Sequence, residues 1–178
     1  MKIAIIGAEA TGRTVLAEGL AKALPLPLVA DTRPALLAAS GYHTLYEWGA
    51  ATRGWLGWLE ERAAAEARHE RFIVDVGALD IFGTVARWAW NGIAPDRLEQ
   101  AETIVRTATS RYTHVIVTPS AIVAPHAPSR FRSAANARQM TRLLRDLAAD
   151  LAPQARVVML QPGDAGGLLE QAQAFVRA

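Results

Sequence analysis

Eight residues near the start of the chain have the types and spacing needed to hold a polyphosphate. The segment Gly7-Ala8-Glu9-Ala10-Thr11-Gly12-Arg13-Thr14 fits the pattern G-x-x-x-x-G-x-[ST]. Its glycines let the backbone curl until successive N–H groups point inward, and the N-terminus of a following helix adds partial positive charge. The segment therefore predicts a phosphate-binding loop.

The residues on either side of this segment support that interpretation. Residues 3–6 form an apolar run, and Leu16, Leu20 and Leu24 then recur at helical spacing. A strand, a tight loop and a helix in this order are the context that the motif requires. A dinucleotide-binding loop would need G-x-G-x-x-G, whereas position 9 is Glu9. A strand-to-helix turn that binds no ligand is the remaining alternative.

Two side chains of the loop are expected to act on the phosphates and on a metal ion. Thr14 is placed to supply a hydroxyl to Mg²⁺, and residue 13 should reach the β- and γ-phosphates. Residue 13 is arginine, where this motif usually has lysine. Guanidinium is bulkier than ammonium and is shaped for bidentate phosphate contact. We therefore expect nucleotide binding and turnover to respond differently to Arg13.

The rest of the chain predicts four further strands separated by helices. The strands are expected at 26–30, 72–76, 115–117 and 157–160, with two or three helices in 34–69 and others at 78–90, 96–109, around 140–151 and around 168–176. Continuous apolar strands between helices indicate a parallel sheet covered on both faces. The predicted fold class is α/β, a three-layer P-loop NTPase with a five-stranded parallel sheet. We expect one domain over residues 1–178, with a lid in the polar, proline-rich loop 118–133.

Two aspartates follow predicted strands, where ligands of open α/β sheets bind. Asp75 could hold Mg²⁺ beside Thr14, or it could cap the following turn. Asp31 could orient or deprotonate an acceptor hydroxyl, or it could cap the helix after Pro34. Asp80 could replace Asp75, but its place on a helix favours an ordinary surface carboxylate.

Residues 3–24, IAIIGAEATGRTVLAEGLAKAL, resemble the opening of the nicotinamide riboside kinase domain of NadR-type proteins. These are AAA-like P-loop ATPases whose loop typically reads GxESTGKT. The resemblance implies a P-loop kinase-like fold and ATP binding. It also implies an acidic residue and an arginine after the second strand, here Asp31 and Arg33, and a strand ending in aspartate, here Asp75.

The same resemblance implies an arginine-bearing lid, here with Arg130, Arg132 and Arg138, that could close over the triphosphate. A solvated basic loop is the alternative for these three arginines. The residues expected to contact the nucleotide are Gly7, Ala8, Glu9, Ala10, Thr11, Gly12, Arg13, Thr14, Val15, Arg130 and Arg138. The expected catalytic residues are Arg13, Asp31 and Arg132, and the expected metal ligands are Thr14 and Asp75.

Trp48, Trp55 and Trp58 fall near one helical face if no glycine interrupts the helix. Such a stripe usually belongs to the core, and a base-stacking platform or a homodimer interface is the alternative. The glycines at 54 and 57 leave open whether one helix carries all three.

Composition limits the classes of function. The 178 residues are 51% hydrophobic and 20% charged, and no apolar run approaches the roughly 18 residues of a membrane span. A net charge of +2 argues against a nucleic-acid partner. The chain has no cysteine and shows no export signal after Met1, so we expect a soluble cytoplasmic protein.

These features favour a small-molecule kinase that binds Mg-ATP and transfers its γ-phosphoryl group to a nucleoside or ribosyl acceptor. The alternative is a nucleotide-binding regulatory module that has lost catalysis, which the arginine at position 13 would explain. The sequence leaves the acceptor, the oligomeric state and the choice between ATP and GTP open.

Overall fold

A parallel sheet of five strands lies at the centre of the protein, as the apolar runs predict. The computed structural model describes residues 1–8, 11–29, 31, 54–88, 93–120 and 133–178. The strands are β1 Lys2–Ile6, β2 Leu28–Val29, β3 Phe72–Val74, β4 His114–Val117 and β5 Arg156–Met159. Their order is β2-β3-β1-β4-β5, and every neighbouring pair is parallel. All five carboxyl ends therefore meet at one edge of the sheet.

Six helices cover the sheet in the described part of the chain. They are α1 Arg13–Ala23, α2 Gly54–Ala67, α3 Ala78–Trp88, α4 Pro95–Thr109, α5 Ala134–Leu151 and α6 Ala165–Arg177. Side-chain caps begin two of them, because Ser133 accepts from the N–H of Asn136 and Asp164 from that of Gly167. Among the described residues, none of the helices has the length and apolarity needed to cross a membrane.

The alternation of side chains along the strands divides the core into two layers. Ile3 and Ile5 of β1 face α1 and α6, whereas Ala4 and Ile6 face the layer of α2 to α5. Every residue of β3 and β4 is buried. This double burial explains why these strands read as continuous apolar runs.

The structure corrects the sequence-based picture at two places. β5 was expected to be covered on both faces, but it lies at the edge of the sheet, and Val157 and Met159 are exposed. Gly57 does not break a helix, since α2 runs through it. Trp58 is buried and Trp55 packs against the same core layer, which agrees with a core role for these two. Trp48, the helices expected within 34–53 and most of the loop 118–133 lie outside the described residues.

Candidate functional site

The turn from β1 into α1 depends on the backbone conformation of Gly12. Gly12 has φ 80° and ψ 10°, in the left-handed region, and its carbonyl accepts from the N–H of Leu16 at 3.0 Å. A side chain costs roughly 1–2 kcal/mol in this conformation, so glycine suits the position. The loop therefore enters the helix at the carboxyl edge of the sheet.

The start of the loop is packed closely against the end of β4. A Cβ on Gly7 would lie 1.9 Å from Oγ1 of Thr118, a distance that no real contact allows. The N–H of Thr118 donates to the carbonyl of Ile6 at 2.8 Å, and its hydroxyl lies 2.8 Å from that of Thr11. Thr11 in turn donates to the carbonyl of Ala8 at 2.7 Å. Thr118 is fully buried, so a lid in the loop 118–133 would begin after it.

Arg13 is held beside the loop by two contacts of one nitrogen. Its Nη1 donates to the carbonyl of Gly7 at 2.9 Å and to Oδ1 of Asp80 at 2.6 Å. The pair is buried, with exposed side-chain fractions of 10% for Arg13 and 5% for Asp80. The guanidinium thus lies next to the predicted phosphate site but is bound to groups of the protein.

Asp80 is not the surface carboxylate that its helical position suggested. It lies in the first turn of α3 and is buried, with Oδ1 3.4 Å from the N–H of Gly7 and Oδ2 3.3 Å from that of Gly77. The helix N-terminus favours a carboxylate at this point. Asp80 therefore connects the predicted phosphate-binding loop with the β3–α3 turn, whereas its helical position had suggested a place at the surface.

The two predicted metal ligands lie side by side. Thr14, in the first turn of α1, donates its hydroxyl to Oδ2 of Asp75 at 2.8 Å. Asp75 follows β3 directly, and β3 is paired with β1, so the parallel register brings these two residues together. Hydroxyl and carboxylate oxygens are the ligands that Mg²⁺ prefers.

A second charged cluster is buried beneath the β3–α3 turn. Glu66 of α2 accepts from the hydroxyl of Tyr112 at 2.8 Å and from the N–H of Ala78 at 3.1 Å. Arg62, one turn earlier, lies 3.6 Å from Glu66 and donates to the carbonyl of Val29 at 2.9 Å. Burial raises the pKa of Glu66 to about 7 and outweighs the lowering effects of Tyr112 and Arg62.

The other predicted site residues are dispersed or lie outside the description. Val15 is 59% exposed, Arg138 is exposed on α5, and Asp31 is partly exposed two residues after β2. Ala8 is buried within the loop. The described residues do not include Glu9, Ala10, Arg33, Arg130 or Arg132.

Sequence reasoning missed three buried residues, of which Asp80 and Thr118 contact the loop and Glu66 contacts the β3–α3 turn. Asp80 is flanked by Ala78 and Leu79 on one side and by Ile81 and Phe82 on the other, and this apolar setting could have indicated burial. Thr118 directly follows the apolar run of β4 but was assigned to the lid. Glu66 lies in an alanine-rich helix with no comparable signal.

Comparisons with known proteins agree with this architecture. The sequence model of a family described as AAA domain matches residues 2–165. No curated protein matches the chain by sequence.

The chain is similar in structure to a NadR protein in complex with NR, with a TM-score of 0.75 and 15% identity over 99% of this chain. It spans 50% of that NadR chain. It is also similar to deoxyadenosine kinase from M. mycoides with bound dCTP, with a TM-score of 0.66, 12% identity and 99% of each chain covered. At this level of identity, the similarity establishes the fold, which is that of P-loop nucleoside kinases.

Proposed function

This chain belongs to the AAA domain family, and from that premise we propose that it is a small-molecule kinase. In this proposal, residues 7–14 hold the phosphates of ATP with Mg²⁺, and the γ-phosphoryl group passes to a nucleoside or ribosyl acceptor. Phosphoryl transfer depends mainly on positioning and on stabilisation of charge, and the carboxyl edge of the sheet offers groups for both.

The observation that carries the proposal is the contact between Thr14 and Asp75. Their oxygens lie 2.8 Å apart at the end of the loop, on two segments brought together by the parallel pairing of β1 and β3. This oxygen pair fits Mg²⁺, which usually binds through one or two protein ligands together with substrate phosphates. When bound, the ion would neutralise charge on the phosphate oxygens. Beside the ion, the loop backbone, which turns at the left-handed Gly12, would supply N–H donors to the phosphates.

Further roles follow from position. Arg13 would approach the β- and γ-phosphates, and Asp31, just after β2, would orient or deprotonate the acceptor hydroxyl. Arg130 and Arg132 of the lid, together with Arg138 on α5, would close over the triphosphate. The complexes of NadR with NR and of deoxyadenosine kinase with dCTP support an acceptor that contains a ribosyl group or a nucleoside. A single domain, a cytoplasmic location and a homodimer remain predictions from the sequence.

A second candidate function is a nucleotide-binding regulatory module without catalysis. The observation that favours it is the guanidinium of Arg13, which is engaged by Asp80 and by the carbonyl of Gly7. A cation held in this way contributes little charge stabilisation to a transition state unless it is released.

Replacement of Gly12 by valine tests the proposed nucleotide site. A β-branched side chain at φ 80° strains the loop and obstructs the approach of phosphate to the backbone. We expect ATP affinity, measured by calorimetry with Mg²⁺, to fall at least about a hundredfold. Gly57→Val is the matched control, because a Cβ at this exposed helical glycine meets no atom within 4 Å. Unchanged ATP affinity in a folded Gly12→Val variant would remove the proposal.

Replacement of Thr14 by alanine tests the metal role. It removes one oxygen ligand and leaves the backbone donors in place, so nucleotide affinity should fall more with Mg²⁺ than with EDTA. Equal losses in both conditions would contradict the assignment of Thr14.

A phosphoryl-transfer screen over nucleosides then separates the kinase, which phosphorylates an acceptor, from the regulatory module, which binds ATP without turnover.

A further inference from the structure

The ion pair between Arg13 and Asp80 joins the proposed phosphate-binding loop to the first turn of α3. The Nη1 and Oδ1 atoms are 2.6 Å apart, and both side chains are at least nine-tenths buried. Asp80 is also fixed by backbone donors on two segments, the N–H of Gly7 and the N–H of Gly77. The guanidinium, in contrast, reaches the carboxylate on a long side chain with several rotatable bonds. If the pair separates, Arg13 is therefore the partner that moves.

Both hydrogen bonds that hold the Arg13 side chain can be broken by one movement of its guanidinium group. Nη1 makes both the bond to Asp80 and the bond to the carbonyl of Gly7, so one rotation of the side chain would break both. Guanidinium forms charge-assisted hydrogen bonds with phosphate and with carboxylate alike. Since Arg13 directly follows Gly12 at the start of α1, its backbone stays at the loop while its side chain changes partner. A bound polyphosphate and Asp80 would compete for this guanidinium.

We propose that Asp80 is a positioning residue that withholds Arg13 from polyphosphate and thereby sets the affinity of the loop for nucleotide. This inference rests on the proposed function, because it requires a polyphosphate to bind at residues 7–14. Separation of a buried ion pair leaves a buried charge without its partner, and this opposes ligand binding. Removal of the charge of Asp80 therefore tightens binding by more when Arg13 is present than when it is absent.

A double-mutant cycle measures this dependence directly. The four proteins are the wild type, Asp80→Asn, Arg13→Ala and the double variant. The probe is inorganic tripolyphosphate in EDTA, followed by calorimetry, because the absence of metal excludes any effect of Asp80 on a bound cation. We expect Asp80→Asn to tighten binding about tenfold with Arg13 and at most about threefold with alanine at position 13.

Glu18→Gln is the control for a simple change in local charge. Glu18 is exposed on α1, near the loop, and its replacement removes one negative charge without touching the buried pair. Its effect on tripolyphosphate affinity should be within about twofold, because an exposed charge is screened by solvent and salt.

The outcomes distinguish this inference from the proposed function. One contrary result is that Asp80→Asn increases tripolyphosphate affinity equally with arginine and with alanine at position 13, and another is that it decreases the affinity. Either result would overturn the inference that Arg13 moves from Asp80 to the phosphate, and it would leave the kinase proposal standing. If the wild type binds neither ATP nor tripolyphosphate, the proposed function is wrong and the inference falls with it.

A measurement on the wild type covers the case in which Asp80→Asn fails to fold. The guanidinium signal of Arg13 in a nitrogen-resolved NMR spectrum can be assigned by its absence from Arg13→Lys. Saturation with tripolyphosphate should shift this signal together with the carboxyl carbon signal of Asp80, as the two groups separate. Unchanged signals at saturation would show that the pair stays closed and would overturn the inference.

Discussion

Two buried arginine–carboxylate pairs lie near the carboxyl edge of the sheet, and they are built differently. Arg13 and Asp80 are 67 residues apart in sequence and meet at 2.6 Å. Arg62 and Glu66 lie one turn apart on α2, at 3.6 Å. The first pair joins the starts of two helices, α1 and α3. The second belongs to one helix, and its members also bond to Val29 and Tyr112.

The difference separates a pair that can respond to a ligand from a pair that stabilises the fold. Arg62 and Glu66 lie on one helix and are 0% and 1% exposed, so a ligand cannot reach them without a change in the fold. A Cβ on Gly77 would lie 2.7 Å from the hydroxyl of Tyr112, so this turn is also closely packed around the cluster. Arg13, in contrast, is part of the candidate phosphate-binding loop. The two pairs are similarly buried, but we expect substitutions in the first pair to change ligand binding and substitutions in the second to change stability.

The largest expected effect is on stability, from Arg62→Met. The variant loses the bond to Val29 and leaves Glu66 without its cation, so the free energy of unfolding should fall by about 3 kcal/mol. Urea unfolding at pH 8.5, where Glu66 is ionised, measures this change, with Arg68→Met, at an exposed position just after α2, as the control. Nucleotide affinity of the folded variant should change by less than about threefold. A large loss of affinity without loss of stability would reverse the roles assigned to the two pairs.

Glu66 should make stability depend on pH. Its pKa is about 7 in the folded protein against an ordinary value of 4.5, so between these values the folded state holds a proton that the unfolded chain has released. The contribution to stability is therefore complete below pH 4.5 and is lost as the pH rises through 7. Its size should be on the order of 3 kcal/mol.

The difference in unfolding free energy between the wild type and Glu66→Gln, followed from pH 5 to pH 8.5, isolates this contribution. Glutamine cannot release the proton, so the slope due to Glu66 should disappear. Glu61→Gln, at an exposed position of the same helix, should retain the slope of the wild type. Parallel curves for the wild type and Glu66→Gln would show that Glu66 titrates normally.

The smallest expected effect is on binding, from Arg13→Lys. Lysine keeps the positive charge but not the planar, bidentate geometry, so ATP affinity should stay within about tenfold. Any phosphoryl-transfer rate should rise, because ammonium fits better inside such a loop during the reaction. Arg13→Ala should weaken binding. A lower rate with lysine would show that the site is adapted to guanidinium and would exclude impaired catalysis as the consequence of Arg13.

Local sequence patterns were sufficient to predict the architecture and the relative positions of some residues of the candidate site. The apolar runs predicted five parallel strands, because strands buried on both faces need no polar residue at alternate positions. The spacing of Gly7, Gly12 and Thr14 predicted the loop, and the aspartate after β3 was predicted beside Thr14, where the structure places it. Each of these inferences uses neighbouring residues or the general rule that strand ends converge at one edge.

The amino-acid sequence by itself determined the phosphate-loop pattern, the α/β class and the apolar segments, since these depend on residue types within a few positions of each other. Only the tertiary structure decided that Asp80 binds Arg13, that Thr118 supports Gly7 and that Arg62, Glu66 and Tyr112 form one cluster. It also decided that β5 is an exposed edge. These outcomes depend on which distant segments pack together, and burial by those segments sets both the partners and the charge state of each side chain.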